Sequence, residues 1–405
     1  MSHPGTLVLI TAAAVLAPLL ASAAARRLAV PLVIFEIALG IVIGPDALDW
    51  AHSDQAIDTL SNLGLSMLIF LAGYEIDFAA VRGRTLNRAA GAWLASLAVA
   101  IAVAFLLSGD DVFKAFVIGT SLTSTALGTV LPMLKDEGDL HGRFGAVVTA
   151  FGAVGEFGPV VAIALLLSGR KPGVSAALLI VFAAVTAAAI VWALRPRRPW
   201  FSRLIDKTLH NSAQFAVRFV MFLLAGMLGL ASAFGLDVLL GAFAAGILAR
   251  LVLYGAAPDS SAEVLGKVEA MGFGFLVPLF YVVTGINFDL HALLHDARSL
   301  ALLPVFLLLF LLLRGGPVYL LAPRDLDRGD RSALTLFAAT CLPLVVAITT
   351  IGVSQKIVDS AVAAALVGAA MVSVLVFPLL ARRIRVGGRD RAPSGSRTAE
   401  ESEAW

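Results

Sequence analysis

Apolar runs long enough to cross a bilayer follow one another along nearly the whole 405-residue chain. Inside lipid, every backbone N–H and C=O must find its partner within the protein, so only α-helices and closed β-barrels can span it. The runs here are continuously apolar rather than alternating, which excludes a barrel and predicts an all-α polytopic membrane protein. About thirteen spans are expected, with cores at 6–25, 29–44, 60–78, 89–107, 112–133, 144–168, 174–194, 211–233, 236–254, 265–286, 299–321, 331–352 and 358–381. With 59% hydrophobic and 14% charged residues, the chain could not hide its apolar surface as a soluble protein.

The charges between the runs set the orientation. Connections after odd-numbered spans carry Arg26 and Arg27; Arg82, Arg84 and Arg88; Lys135 and Arg143; a cluster from Arg195 to Lys207; Lys267; Arg324, Arg328 and Arg331; then Arg382, Arg383 and Arg385. Those after even-numbered spans are mostly acidic or neutral, as with Asp46, Asp49, Asp54 and Asp58; Arg170 and Lys171 are the main exception. The positive-inside rule then puts the N-terminus outside and the C-terminus inside. The first span lacks a basic residue before its apolar run and reads as a membrane helix rather than a cleaved signal. Residues 1–385 form the expected transmembrane domain, and the polar, charged stretch 386–405 is an expected disordered cytoplasmic tail.

Within this apolar chain one residue stands out chemically. Glu156 lies near the middle of AFGAVGEFGPVVAIALLL. A carboxylate at a bilayer midplane is unfavourable by roughly 2.5–3.5 kcal/mol on insertion scales, so something must bind it: a proton, a cation or a fixed partner. Arg314, in LLLFLLLRGGPVYLL, faces the same problem and stays ionised. It either snorkels to the inner interface or serves as a fixed cation beside the ion site, able to pair with Glu156 when no ion is bound. Glu36 lies mid-span in PLVIFEIALGIVIGP; Glu75 and Asp77 sit near the inner end of the third span, where interfacial solvation suits Asp77.

Two spans resist reading as regular helices. The fifth, IGTSLTSTALGTVLPML, gathers Thr123, Ser124 and Thr125 among glycines, and hydroxyl oxygens are plausible ligands for a hard cation. The twelfth, LFAATCLPLVVAITTIG, carries Pro343, which removes one backbone hydrogen bond and frees a carbonyl. Small residues also serve close helix packing, and proline is tolerated in such spans. The two lie seven spans apart, however, and so cross in opposite directions. Interrupted helices at matching places of inverted repeats point to a transporter's binding site.

The motifs carrying a resemblance come in order. PLVIFEIALGIVIGP, LGLSMLIFLAGYEIDF, TSLTSTALGTVLPML and LVPLFYVVTGINFDL resemble the second, third, fifth and tenth spans of the monovalent cation:proton antiporter superfamily, in its Kef-like bacterial branch. The resemblance runs from Pro31 to about Pro378. It implies a thirteen-helix, sodium/proton antiporter-like fold with inverted repeats and two crossed broken helices. It also implies a homodimer and elevator-like alternating access. Family members place an Asn-Asp or Asp-Asp pair on the sixth span; the matching positions here are Gly155 and Glu156, so a single, longer carboxylate survives. Arg314 matches the eleventh-span basic residue, where arginine often accompanies electroneutral exchange.

A lone midplane carboxylate suggests an exchange rule. Glu156 is neutralised equally by one proton or one monovalent cation, Na⁺ or K⁺, so the two compete and move in opposite directions, one for one. Thr123, Ser124 and Thr125 would add neutral oxygens, with Arg314, Glu36 and Glu75 as supporting charges. No cofactor, no resident metal and no nucleic-acid partner is expected; the lipid bilayer is the solvent. The lone Cys341 and the histidines, at loops or helix ends, make no metal site. An organic-anion transporter using Arg314, a cation channel, or a non-transporting membrane sensor remain alternatives. An enzyme is not expected, because no nucleophile–base pair or phosphate loop is present.

Overall fold

A computed structural model of the chain describes residues 3–25, 30–75, 83–109, 111–136, 138–140, 142–166, 172–193, 205, 207–208, 214–256, 258–295 and 297–389. Asp77, most of the Arg195–Lys207 cluster, and residues 390–405 of the tail lie outside them. The described elements are all helical. They begin with α1 (His3–Ala25), α2 (Leu32–Ile43), α3 (Gln55–Glu75), α4 (Arg84–Ser108), α5 (Val112–Ser121) and α6 (Leu127–Asp136). Next come α7 (Arg143–Leu166), α8 (Pro172–Ala193), α9 (Phe215–Ala233), α10 (Val238–Ala256) and α11 (Pro258–Met271). A π-helical turn (Gly272–Leu276) leads into α12 (Val277–Ile286), followed by α13 (Leu290–His295) and α14 (Ala297–Leu309). A second π-helical turn (Phe310–Gly315) leads into α15 (Gly316–Leu321), and the chain closes with α16 (Arg328–Ala339), α17 (Pro343–Ser354) and α18 (Ser360–Arg389).

Among the described residues, ten helical stretches are long and apolar enough to cross a membrane. Three shorter apolar helices, Leu32–Ile43, Val112–Ser121 and Ala177–Ala189, fall where the second, fifth and seventh spans were expected. Large side chains such as Phe222, Leu106 and Ile180 are exposed on the outside of this bundle, as a lipid-facing surface requires.

Aspartates in the connections start several of these helices. Asp54, Asp111, Asp237, Asp289 and Asp327 each accept hydrogen bonds from backbone amides two or three residues further on. Such caps satisfy donors that the first helical turn leaves orphaned. Four of the five lie in the acidic connections, so the same residues that mark one face of the membrane also set helix starts.

The helices pack as two bodies. One joins α1, α2, α3, α9, α10 and α12; the other joins α4–α7 and α14–α18. In the first, α2 and α12 approach backbone to backbone: a Cβ on Gly40 would lie 2.1 Å from the Val282 carbonyl oxygen, and one on Gly285 would lie 2.2 Å from that of Ile37. In lipid, where apolar side chains gain little by leaving the tails, such close approach is what holds helices together. The second body contains both interrupted spans, α5–α6 and α16–α17, in corresponding places of two three-span segments.

Candidate functional site

Both interruptions are real breaks. The fifth span leaves its helix after Ser121 and resumes at Leu127; the twelfth leaves after Ala339 and resumes at Pro343. Pro343 therefore does not interrupt a helix from within. It stands at the first turn of α17, where its missing N–H is no loss. The break lies just before it, at Thr340, Cys341 and Leu342.

The two extended segments cross and are bonded to each other. The Ala126 amide donates to the Thr340 carbonyl at 2.7 Å, and the Thr125 hydroxyl donates to the Ala338 carbonyl at 2.6 Å. The Thr125 amide donates to the Gly155 carbonyl at 3.1 Å, which ties the crossing to α7. On the far side, the Ser373 hydroxyl of α18 accepts from the Cys341 amide at 3.1 Å and lies 3.1 Å from the Cys341 carbonyl. Peptide groups that no helix can satisfy are thus bonded by neighbours, as a lipid-excluded interior demands.

Glu156 lies beside this crossing, 3% exposed. Its carboxyl lies within electrostatic reach of the amide of Leu127, the first residue of α6. An amide at a helix start carries partial positive charge, which suits a carboxylate. One carboxyl oxygen, Oε2, has no hydrogen-bond partner among the described residues. Glu75, at the end of α3, lies within Coulombic reach of Glu156.

Thr123, Ser124 and Thr125 are all buried in the first break. The Thr123 hydroxyl donates to the Thr120 carbonyl at 2.9 Å and that of Ser124 to the Ser121 carbonyl at 2.8 Å. Each hydroxyl proton is therefore committed to a carbonyl, so what these oxygens present outward is lone pairs. Only Thr125 is bonded directly to the segment carrying Glu156.

Arg314 is fully buried, so it does not snorkel. The second π-helical turn, a feature frequent at functional sites, carries it inward. Its Nε donates to the Thr125 hydroxyl at 3.1 Å and its Nη2 to the Phe151 carbonyl at 2.8 Å. Nη1 has no partner among the described residues. The expected pairing of Arg314 with Glu156 is absent: no ion pair joins them. The reason is Gly155, on which a Cβ would lie 2.3 Å from Arg314 Nη2 and 2.3 Å from the Thr125 hydroxyl. The guanidinium fills the space that any side chain at position 155 would need, and its hydrogen bonds go to α7 and the break.

Glu36 is 3% exposed, in α2, on the wall of a cavity of about 700 Å³ that Tyr281 also lines. Tyr281 lies within Coulombic reach of both Glu36 and Glu156. Sequence reasoning missed the Leu127 amide, Ser373 and the packing role of Gly155. A lone serine inside the apolar run GAAMVSVLV was the one available signal for Ser373.

Known proteins resemble this chain in sequence and in fold. YjbQ of Bacillus subtilis is 26% identical over 377 residues, and the match covers 88% of this chain and 59% of that one. A Na⁺/H⁺ antiporter of Enterococcus hirae is 24% identical over 366 residues, covering 88% and 92%. GerN of Bacillus cereus, a Na⁺/H⁺-K⁺ antiporter, is 28% identical over 276 residues, covering 64% and 66%. The solved structure of the sodium proton antiporter MjNhaP1 from Methanocaldococcus jannaschii at pH 8 superposes with a TM-score of 0.69 at 15% identity, covering 96% of this chain and 98% of that one, and so shares the fold. The transmembrane sodium/hydrogen exchanger model matches residues 11–384, and a multi-pass membrane chain matched over that length, with two broken spans crossing beside a buried glutamate, belongs to the sodium/hydrogen exchanger family.

Proposed function

We propose that the chain exchanges a monovalent cation, Na⁺ or K⁺, for H⁺ across the cytoplasmic membrane, one for one and without net charge movement, with Glu156 as the shared carboxylate. The observation that carries this reading is the state of that side chain: it lies beside the first amide of α6, and its second oxygen, Oε2, is buried with no hydrogen-bond partner among the described residues. A proton or a cation completes the second oxygen equally well. Arg314 contributes one fixed positive charge in either case, so the two loaded forms carry the same charge. Swapping one for the other moves none.

Thr123, Ser124 and Thr125 supply neutral oxygen from the break, suited to a hard monovalent cation. The relatives named for Na⁺/H⁺ and Na⁺/H⁺-K⁺ exchange support this substrate class. The Kef-like placement, the outside N-terminus and the homodimer belong to the same reading, with the first body supplying the dimer contact and the second moving against it.

Proton flux in proteoliposomes on addition of Na⁺ or K⁺, with and without a clamped membrane potential, tests it. The wild type should give cation-driven flux indifferent to the potential, and Glu156→Gln should abolish it. An anion-dependent flux that survives Glu156→Gln would instead make Arg314 Nη1 a substrate contact.

A further inference from the structure

The cavity of about 700 Å³ lies between the two bodies. One wall is α2, α3 and α12, through Glu36, Leu68 and Tyr281; the other is α6 and α18, through Gly128, Thr129 and Arg382. Arg382 is exposed and marks the mouth, on the face whose connections are rich in arginine. The cavity reaches the first turn of α6: Gly128 lines it, and the residue before it, Leu127, lies within electrostatic reach of Glu156. The cavity thus approaches the helix start beside which Glu156 lies.

Of the lining residues, Glu36, Tyr281 and Arg382 are titratable. Among the described residues no basic side chain forms an ion pair with Glu36. A carboxylate that is nearly buried, faces an aqueous space and lacks a counter-ion focuses cations there, because the low-dielectric walls confine its field. Arg382 at the mouth acts against cations, so Glu36 reverses the sign of the field as the passage narrows. Tyr281 lines the cavity with Glu36 and stands within Coulombic reach of both Glu36 and Glu156.

We infer that Glu36 is a second cation-binding carboxylate, a weak docking site at which the monovalent cation is captured from the arginine-rich face before it passes Tyr281 to Glu156. The inference rests on the exchange reading above and adds a site to it. Removing Glu36 should impair capture from one face only, because no cation arriving from the opposite face needs to pass the cavity first.

The test is sided transport, in everted and right-side-out vesicles, comparing wild type with Glu36→Gln. With Na⁺ presented at the Arg382 face, the apparent KM should rise about tenfold in the variant, within the range that field focusing supplies. It should be unchanged with Na⁺ at the other face, and the difference should shrink at high ionic strength. An equal change at both faces, or none at either, would overturn the docking site while leaving exchange through Glu156 intact. Wild type without cation-driven flux would instead sink the exchange reading. If Glu36→Gln does not fold, Na⁺ binding by calorimetry in a Glu156→Gln background replaces it. A weak site should remain there and be lost on adding Glu36→Asp, whose shorter side chain withdraws the carboxylate; persistence of that site, or no residual binding, counts against Glu36.

Discussion

At the scale of single residues, the site depends on a side chain that is missing. Gly155 has no Cβ, and the Arg314 guanidinium and Thr125 occupy what would be its place. Gly155→Ala would set a methyl 2.3 Å from Nη2 and 2.8 Å from Thr125 Cβ, so both neighbours must move. Overpacking of this kind typically costs about 1–3 kcal/mol. Thermal unfolding should register that loss, and cation-driven flux should fall because Thr125 anchors the crossing. A variant with wild-type melting and flux would mean that the guanidinium can move aside at no cost. The sequence made Glu156 and Arg314 legible because charge in an apolar run is conspicuous. It did not show that they avoid each other, since the cause is a glycine, and glycine serves many purposes in membrane helices.

At the scale of elements, the two breaks were legible for different reasons. The fifth span advertised its break through Thr123, Ser124, Thr125 and their glycine neighbours. The twelfth did so through Pro343, although the proline restarts a helix rather than interrupting one. The partner that satisfies the second break was far less visible. Ser373 accepts the Cys341 amide from a helix 32 residues further on, and a single serine in an apolar run has many possible uses. Ser373→Ala leaves that buried amide without its acceptor, which typically costs about 1–3 kcal/mol. The expected result is a lower midpoint in thermal unfolding of the purified protein, with Ser373→Thr, which keeps the hydroxyl, closer to wild type. Equal midpoints for the alanine variant and wild type would show that another group takes over the bond.

At the scale of the whole molecule, the hydrophobic runs and the loop charges were legible because the bilayer enforces both. The grouping into two bodies was not, because it depends on which helix faces which. Among the described residues, several ion pairs hold the second body together at its surfaces. On the arginine-rich face, the largely buried Arg385 of α18 bonds Asp139, after α6, at 2.6 Å and Asp330, in α16, at 2.8 Å. Nearby, Arg143 bonds Asp325 at 2.9 Å, and on the opposite face Lys114 bonds Asp359 at 2.6 Å. The hydrogen bond from Lys114 holds the Asp359 carboxyl below the usual carboxylate range, and that from Arg143 does the same for Asp325. A carboxyl depressed in the folded state adds stability above its unfolded pKa of about 3.9, and that stability is lost as pH falls through the lower folded value. Both groups are exposed, so the effect is small and screened by salt. Wild type should lose slightly more melting temperature than Asp359→Asn between pH 5 and pH 3, at low salt; identical pH profiles would remove Asp359 from the account.

The hydrogen bond from Ala126 to Thr340 has a consequence for how such a protein can change over generations. The first repeat's break is bonded to the second repeat's backbone through the Ala126 amide and the Thr125 hydroxyl, so neither half of the candidate site owns its own geometry. A substitution that shifts the Leu122–Ala126 segment also shifts the carbonyls of Thr340 and Ala338, and the reverse holds. Ion preference is therefore inherited jointly: selection for a larger or smaller cation must alter two distant stretches of the gene together, or work through side chains that leave the shared backbone where it is.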